Sequence, residues 1–214
     1  WKMNKKFNLG LNLVTNKQTL KGRDLSETIE IALNNGADSV RLREKNMDTR
    51  SIMREAFRIK EITQSMGKLL IVNDRVDIAK ACDVDGVHLG QKDMPIKYAR
   101  EILGDNKIIG ISCHTLEQAL EAQEAGADYI GVGAIFPTFT GDDFVRVTID
   151  TLKEISEKIH IPITAIGGIN KNNIRMIFDC NVDSVSLTSA VFSTGDVAAS
   201  TQELKQKFDM ILSR

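Results

Sequence analysis

Three cations stand two residues apart in "RLREK": Arg41, Arg43 and Lys45. That spacing puts them in one row on one face of an extended chain. Cations turned toward a protein interior are costly without anions, so the row asks for an anionic substrate. A solvated charged loop is the plainer alternative. Two carboxylates close later apolar runs, Asp74 in "IVNDR" and Asp93 in "HLGQKD", with Asn73 and Gln91 nearby. Paired carboxylates beside cations suit Mg²⁺, which takes one or two of them and completes its shell with phosphate oxygens and water. Each could instead cap the helix that follows it, and Pro95 fits a helix start after Asp93.

A second cluster lies near the C-terminus. "AIGGIN" supplies Gly167 and Gly168, and "VSLTSAV" supplies Thr188 and Ser189. Paired glycines let backbone N–H groups approach an oxyanion, and hydroxyl residues at a helix start add donors. A tight turn is the alternative for the glycines. Between the clusters, "GISCHT" offers Ser112, Cys113 and His114, and Thr115 reads as an N-cap. No nucleophile–base pair is apparent around them. The loop "IFPTFTGDDF" presents Thr138, Thr140 and Gly141 but no cation. Two anion stations, one cationic and metal-assisted and one built on backbone, suggest a reaction that joins two phosphorylated molecules.

The elements that position these residues repeat. Eight apolar runs ("NLGLNLV", "DSVRLR", "KLLIVN", "DGVHLG", "KIIGIS", "DYIGVG", "PITAIG", "DSVSLT") alternate with amphipathic stretches of helix length. The joints resemble one another: "NNGADSVRL", "ACDVDGVHL", "EAGADYIGV" and "CNVDSVSLT" each place an Asp before a run that reads as apolar on nearly every residue. Continuous apolar strands suit a parallel sheet covered on both faces. Eight such units in 214 residues fit a single (β/α)8 TIM barrel spanning the chain. A doubly wound sheet would want GxGxxG after its first strand, and "VTNKQTLKG" lacks it. In a barrel, strand ends and the loops after them form the site.

Composition narrows the classes. Hydrophobic residues are 42%, charged residues 27%, and the net charge is −1, which gives no reason to expect nucleic acid or an anionic membrane as partner. No secretory pattern opens the chain, and Trp1 and Lys2 before Met3 read as a cloning remnant. Cys82, Cys113 and Cys180 read as reduced, buried thiols of a cytoplasmic protein, and His88, His114 and His160 show no metal-ligand spacing. The oligomeric state is open, a homo-oligomer included.

In order, "RLREK", "IVNDR", "DGVHLGQKD", "GISCHT", "GADYIGVGAIFPTFT", "AIGGI" and "SVSLTSAV" resemble the thiamine phosphate synthase family over nearly the whole chain. The resemblance implies an enzyme that condenses a pyrimidine pyrophosphate with a thiazole phosphate, releasing pyrophosphate by a dissociative route. It implies that Arg43, Lys45 and Asn73 hold the pyrophosphate and pyrimidine, and that Asp74 and Asp93 hold Mg²⁺. Ser112 would lie beside the reacting centre, Thr138 and Thr140 would contact substrate, and Gly168, Thr188 and Ser189 would bind the thiazole phosphate. Two positions depart from the family pattern: Arg41 replaces a usual Gln, and Gly141 a usual Lys that contacts pyrophosphate, so that Arg41 or Arg146 becomes the candidate substitute. A thiazole tautomerase tends to lack the Asn-Asp pair and the Gln-x-Asp motif kept here as Asn73-Asp74 and Gln91-Lys92-Asp93. A phosphate-binding barrel without turnover has only Gly141 in its favour.

Overall fold

The computed structural model describes residues 7–138 and 145–213. Eight parallel strands close in chain order: β1 (Leu11–Val14), β2 (Ser39–Leu42), β3 (Leu69–Asn73), β4 (Gly86–Leu89), β5 (Ile108–Cys113), β6 (Tyr129–Val132), β7 (Ile163–Ile166) and β8 (Ser184–Leu187). The last pairs back onto the first, Leu11 with Val185 and Leu13 with Leu187. Between strands run α1 (Leu25–Asn34), α2 (Thr49–Ser65), α3 (Val76–Ala81), α4 (Ile96–Leu103), α5 (Leu116–Glu124), α6 (Ile149–Lys158) and α7 (Ile174–Phe178). This is the (β/α)8 barrel the alternation implies. Two single-turn elements have no periodicity to announce them: a 3₁₀ turn at Lys17–Leu20 and α8 (Ser189–Phe192), which precedes α9 (Val197–Leu212). No helix among the described residues is long and apolar enough to cross a membrane.

The repeated joints have one physical cause. Each helix ends in a left-handed residue: Gly36 (φ 112), Asp83 (φ 49), Gly126 (φ 86) or Asn181 (φ 57). A buried apolar residue follows, Ala37, Val84, Ala127 or Val182. The amides of Ala37, Val84 and Ala127 reach back to the carbonyls of Ala32, Ala79 and Ala122, closing the helix end. Then comes the aspartate. Asp38, Asp85, Asp128 and Asp183 each accept from an amide at the start of the preceding strand, the first or second residue, those of Leu11, Leu70, Ile109 and Ile163, at 2.8–2.9 Å. Their own amides donate to the carbonyls of Leu11, Leu70, Ile109 and Ile163 at 2.8–3.1 Å. Each joint is therefore a two-point clamp that fixes a strand start against its neighbour.

Outward side chains such as Leu13, Val40, Leu42, Val72, Leu89, Val132 and Val185 pack under the helices as the main core. The inward face differs from the expected continuous apolar pattern. Asn12, Ser39, Arg41, His88, Thr164, Ser184 and Ser186 are buried along it. The small ones bond one another: Asn12 Nδ2 donates to Ser186 Oγ at 2.8 Å, and Ser39 Oγ donates to Asn12 Oδ1 at 3.0 Å. Inward residues this small and hydrogen-bonded leave room that Val or Ile would fill. A separate apolar group, Leu9, Ile71 and Tyr129 with Phe7, Leu69 and Ile108, packs within the barrel near the strand starts.

Replacing a joint aspartate removes a charge-assisted bond to a strand amide. Asp85→Ala should cost about 1.5–3 kcal/mol, read as a lower urea midpoint, with substrate affinity unchanged because Asp85 lies at the end away from the strand termini that face substrate. Loss of affinity in a folded Asp85→Ala protein would contradict that division.

Candidate active site

The C-terminal strand ends surround one cavity of about 660 Å³. Its walls bring together Arg41, Arg43, Lys45, Asn73, Asp74, Asp93, Ser112, Thr138, Gly168, Thr188 and Ser189, residues drawn from distant parts of the sequence. Thr140 and Gly141 lie outside the described residues. The cation row is graded by depth: Arg41 is buried, Arg43 half-buried and Lys45 exposed. Glu44, between them, accepts from the Lys17 amide at 3.0 Å, which ties this loop to the 3₁₀ turn.

Asp74 and Asp93 are not helix caps. The N-cap of α3 is Arg75 and that of α4 is Pro95, and neither makes a side-chain capping bond. Thr115 does cap α5, accepting from Gln118 N. Asp74 sits at φ 63, a left-handed conformation uncommon for a residue with a Cβ, and its amide donates to His88 O. Burial, then a shared hydrogen bond with Asp93 and that neighbour's charge, push the Asp74 carboxyl up to about 6 against the pull of Lys45 and Arg43. Asp93 accepts from the Gly90 amide at 2.6 Å, which folds the loop after β4 back on itself. Among the described residues no three His, Cys, Asp or Glu gather into a metal cluster. Two carboxylates that repel each other at a cavity wall fit an ion such as Mg²⁺, which needs only one or two of them.

Opposite, Gly167 (φ 104) and Gly168 (φ 59) end β7. A Cβ on Gly167 would stand 2.4 Å from Ala134 Cβ, and one on Gly168 2.5 Å from Pro137 O. The pair thus serves packing as well as approach: it lets the loop after β6 lie against β7, where Ile135 and Phe136 amides donate to Ile166 and Gly167 carbonyls at 3.0 Å. Thr188 is the N-cap of α8 and makes no side-chain capping bond. Ser189 is exposed. Downstream, the Val147 amide donates to Ala134 O and the Ala134 amide to Val145 O, which pins residues 145–147 beside β6. Arg146 is exposed there.

Ser112 has a partner that the sequence reading did not supply. Its Oγ lies 2.9 Å from His88 Nε2, and His88 Nδ1 lies 2.8 Å from Tyr129 Oη. Burial and the Arg41 charge hold His88 well below the usual imidazole range, so the ring is neutral. The geometry is that of a serine–histidine pair, but such a ring is a poor base at neutral pH, and its third member is a phenol that burial holds protonated. The chain of bonds orients Ser112. The alternation of "DGVHLG" and "DYIGVG" was the available signal, because period two turns His88 and Tyr129 inward. His114 is a tether instead, with Nδ1 2.7 Å from Gly133 O. Cys113 is fully buried and its thiol is pushed up to about 12, chiefly by burial, so it is no nucleophile at neutral pH.

A closed barrel with its cavity at the C-terminal strand ends defines a TIM-barrel enzyme. The family model for thiamine monophosphate synthase matches residues 11–191. A thiamine-phosphate synthase from Clostridium tetani is 46% identical over 206 residues, 96% of this chain and 99% of the relative. One from Clostridium novyi is also 46% identical, over 92% of this chain and 98% of its own length. The solved thiamine phosphate pyrophosphorylase from Pyrococcus furiosus superposes with a TM-score of 0.88 at 40% identity, covering 95% of this chain and 97% of that one. The chain belongs to the thiamine monophosphate synthase family.

The Asp74 shift has a signed consequence. Its folded value lies above the unfolded 3.8, so the metal-free fold binds the proton more tightly than the unfolded chain does. The penalty is absent below pH 3.8, grows toward pH 6 and is full above it. In EDTA at pH 7.5, Asp74→Asn should raise Tm by about 2–4 °C, for roughly 1 kcal/mol once solvent screening is counted. The gain should vanish near pH 4. A lower Tm for the variant at pH 7.5 would contradict the penalty assigned to burial and to the Asp93 charge.

Proposed function

We propose that the chain joins 4-amino-5-hydroxymethyl-2-methylpyrimidine pyrophosphate to 4-methyl-5-(2-phosphoethyl)thiazole, giving thiamine phosphate and pyrophosphate. One observation carries the reading. A single cavity sets a cationic, carboxylate-bearing wall from β2, β3 and β4 across from a glycine and hydroxyl wall after β7 and β8. Each wall suits one phosphorylated reactant, and the family of the chain agrees with the pairing.

In this reading Arg43, Lys45 and Asn73 hold the pyrophosphate and the pyrimidine. Asp74 and Asp93 would hold Mg²⁺, which when bound neutralises charge on the departing pyrophosphate. Thr138 and Thr140 contact the substrate, and Gly141 adds no charge to that loop. Gly168, Thr188 and Ser189 receive the thiazole phosphate. The bond from the pyrimidine methylene to oxygen breaks with its electron pair going to pyrophosphate, and the thiazole nitrogen then attacks the methylene. Such a route needs leaving-group stabilisation and not a nucleophile. Ser112 would lie beside the reacting carbon, and a neutral His88 behind it adds no further positive charge next to a carbon that gains one. The expected setting is cytoplasmic, with small phosphorylated molecules as partners.

The direct test is steady-state formation of thiamine phosphate and pyrophosphate from the two substrates with Mg²⁺. No product at any enzyme concentration would sink the reading. Asp74→Asn and Asp93→Asn should each lower turnover by about 100-fold, with partial recovery at raised Mg²⁺ and an intact fold by circular dichroism. Unchanged turnover in both variants would remove the metal site. Ser189→Asp should raise the KM for thiazole phosphate about 10-fold or more and leave that for the pyrimidine pyrophosphate within twofold. Equal losses for both substrates would contradict the two-wall division.

A further inference from the structure

Arg41 carries a buried charge that no residue among those described pairs directly. It lies on β2, two residues before Arg43 on the same face, and is 5% exposed. Among the described residues no carboxylate forms a salt bridge with it, and its buried Nε has no hydrogen-bond acceptor. A guanidinium can only donate, and it keeps its proton in proteins. Burying one without an anion is among the costlier things a fold can do. Yet Arg41 lines the cavity, so a ligand can reach it.

The surroundings restrict what that ligand group is. His88, Ser112 and Tyr129 are committed to one another in a neutral chain of hydrogen bonds. The carboxylate whose field Arg41 feels is Asp74, on the same wall as Arg43. Arg41 therefore belongs to the cationic wall and not to the wall after β7 and β8. A fixed cation aimed at a carbon gaining positive charge would oppose bond breaking. The same cation aimed at the departing oxygens favours it.

We propose that Arg41 anchors the pyrophosphate group from the floor of the cavity, donating to its oxygens below the contacts of Arg43 and Lys45. The inference rests on the reaction proposed above and assigns a leaving-group role to a position where the family pattern has an uncharged Gln. The balance is simple. The electron pair of the broken C–O bond stays on the pyrophosphate oxygen, Arg41 keeps its proton throughout, and the thiazole nitrogen supplies the pair for the new bond.

The test uses Arg41→Met and Arg41→Gln in the full chain, with inorganic pyrophosphate and ethyl phosphate as separate probes. Without ligand, Arg41→Met should melt above the wild type, because the unanswered buried charge is gone. Calorimetry with Mg²⁺ present should show pyrophosphate affinity falling about 10- to 100-fold in both variants, and ethyl phosphate affinity changing less than twofold. Should Arg41→Met fold poorly, Arg41→Gln, nearer in shape and uncharged, gives the same comparison. Unchanged pyrophosphate affinity in Arg41→Gln overturns the proposal, as does an equal loss for both probes. A chain that binds pyrophosphate through Arg41 but forms no thiamine phosphate would refute the proposed reaction and leave the anchor standing. Thiamine phosphate formation with undiminished pyrophosphate binding in Arg41→Gln would do the reverse.

Discussion

Every strand of a parallel barrel begins with an amide that must find an acceptor, and four aspartates meet that need in the same way. Asp38, Asp85, Asp128 and Asp183 hold amides of the first or second residues of β1, β3, β5 and β7 while their own amides bond those strands' carbonyls. The clamps set register, and register decides which residues face inward. A slip by one residue would turn Arg41, His88 and Ser112 toward the helices and bring Val40, Val87 and Ile111 into the barrel. The chemistry of the mouth thus depends on bonds made at the opposite end of each strand.

That rigid frame lets the mouth hold arrangements that are unfavourable by themselves. Asp74 has a left-handed backbone and faces a second carboxylate, and Arg41 is buried with no salt bridge among the described residues and an unpartnered Nε. Strain and unanswered charge of this kind persist where the surrounding structure over-determines them. Here Arg41 lies on the same wall as Asp74, and among the described residues no salt bridge joins the two. The donors of Arg41 and the acceptors of Asp74 and Asp93 remain available to a bound group, as preorganised electrostatic stabilisation requires.

The barrel was legible because its signals are local and repeated. Short continuous apolar runs, helix-length stretches and the joint motif recur along the chain, and the joint follows from backbone geometry that tolerates little variation. The strand-end rule then placed most of the candidate residues in one cavity, from Arg43 on β2 to Ser189 after β8. What escaped was set by burial and contact across the barrel. The pairing of Ser112 with His88 joins β5 to β4 and extends to Tyr129 on β6, and no spacing along the chain encodes it. The polar inward face was obscured for a similar reason, because an inward Ser or Thr between apolar residues reads as part of a hydrophobic run until closure shows where it points. The cap alternative for Asp74 and Asp93 needed backbone angles to be settled.

Tyr129 shows how the two halves of the interior are joined. Its ring belongs to the apolar group with Leu9 and Ile71, and Phe7 packs edge-on against it with centroids 6.0 Å apart. Its hydroxyl reaches His88 and through it Ser112. Room for the ring is made by Gly110, where a Cβ would stand 2.1 Å from the Tyr129 ring. A single side chain therefore carries the packing of the lower barrel into the orientation of a hydroxyl at the cavity. A phenol suits this place better than an ionisable group would: it fills apolar volume, satisfies a buried imidazole and adds no charge. With the Arg41 charge already acting on His88, that neutrality adds no further charge to the interior.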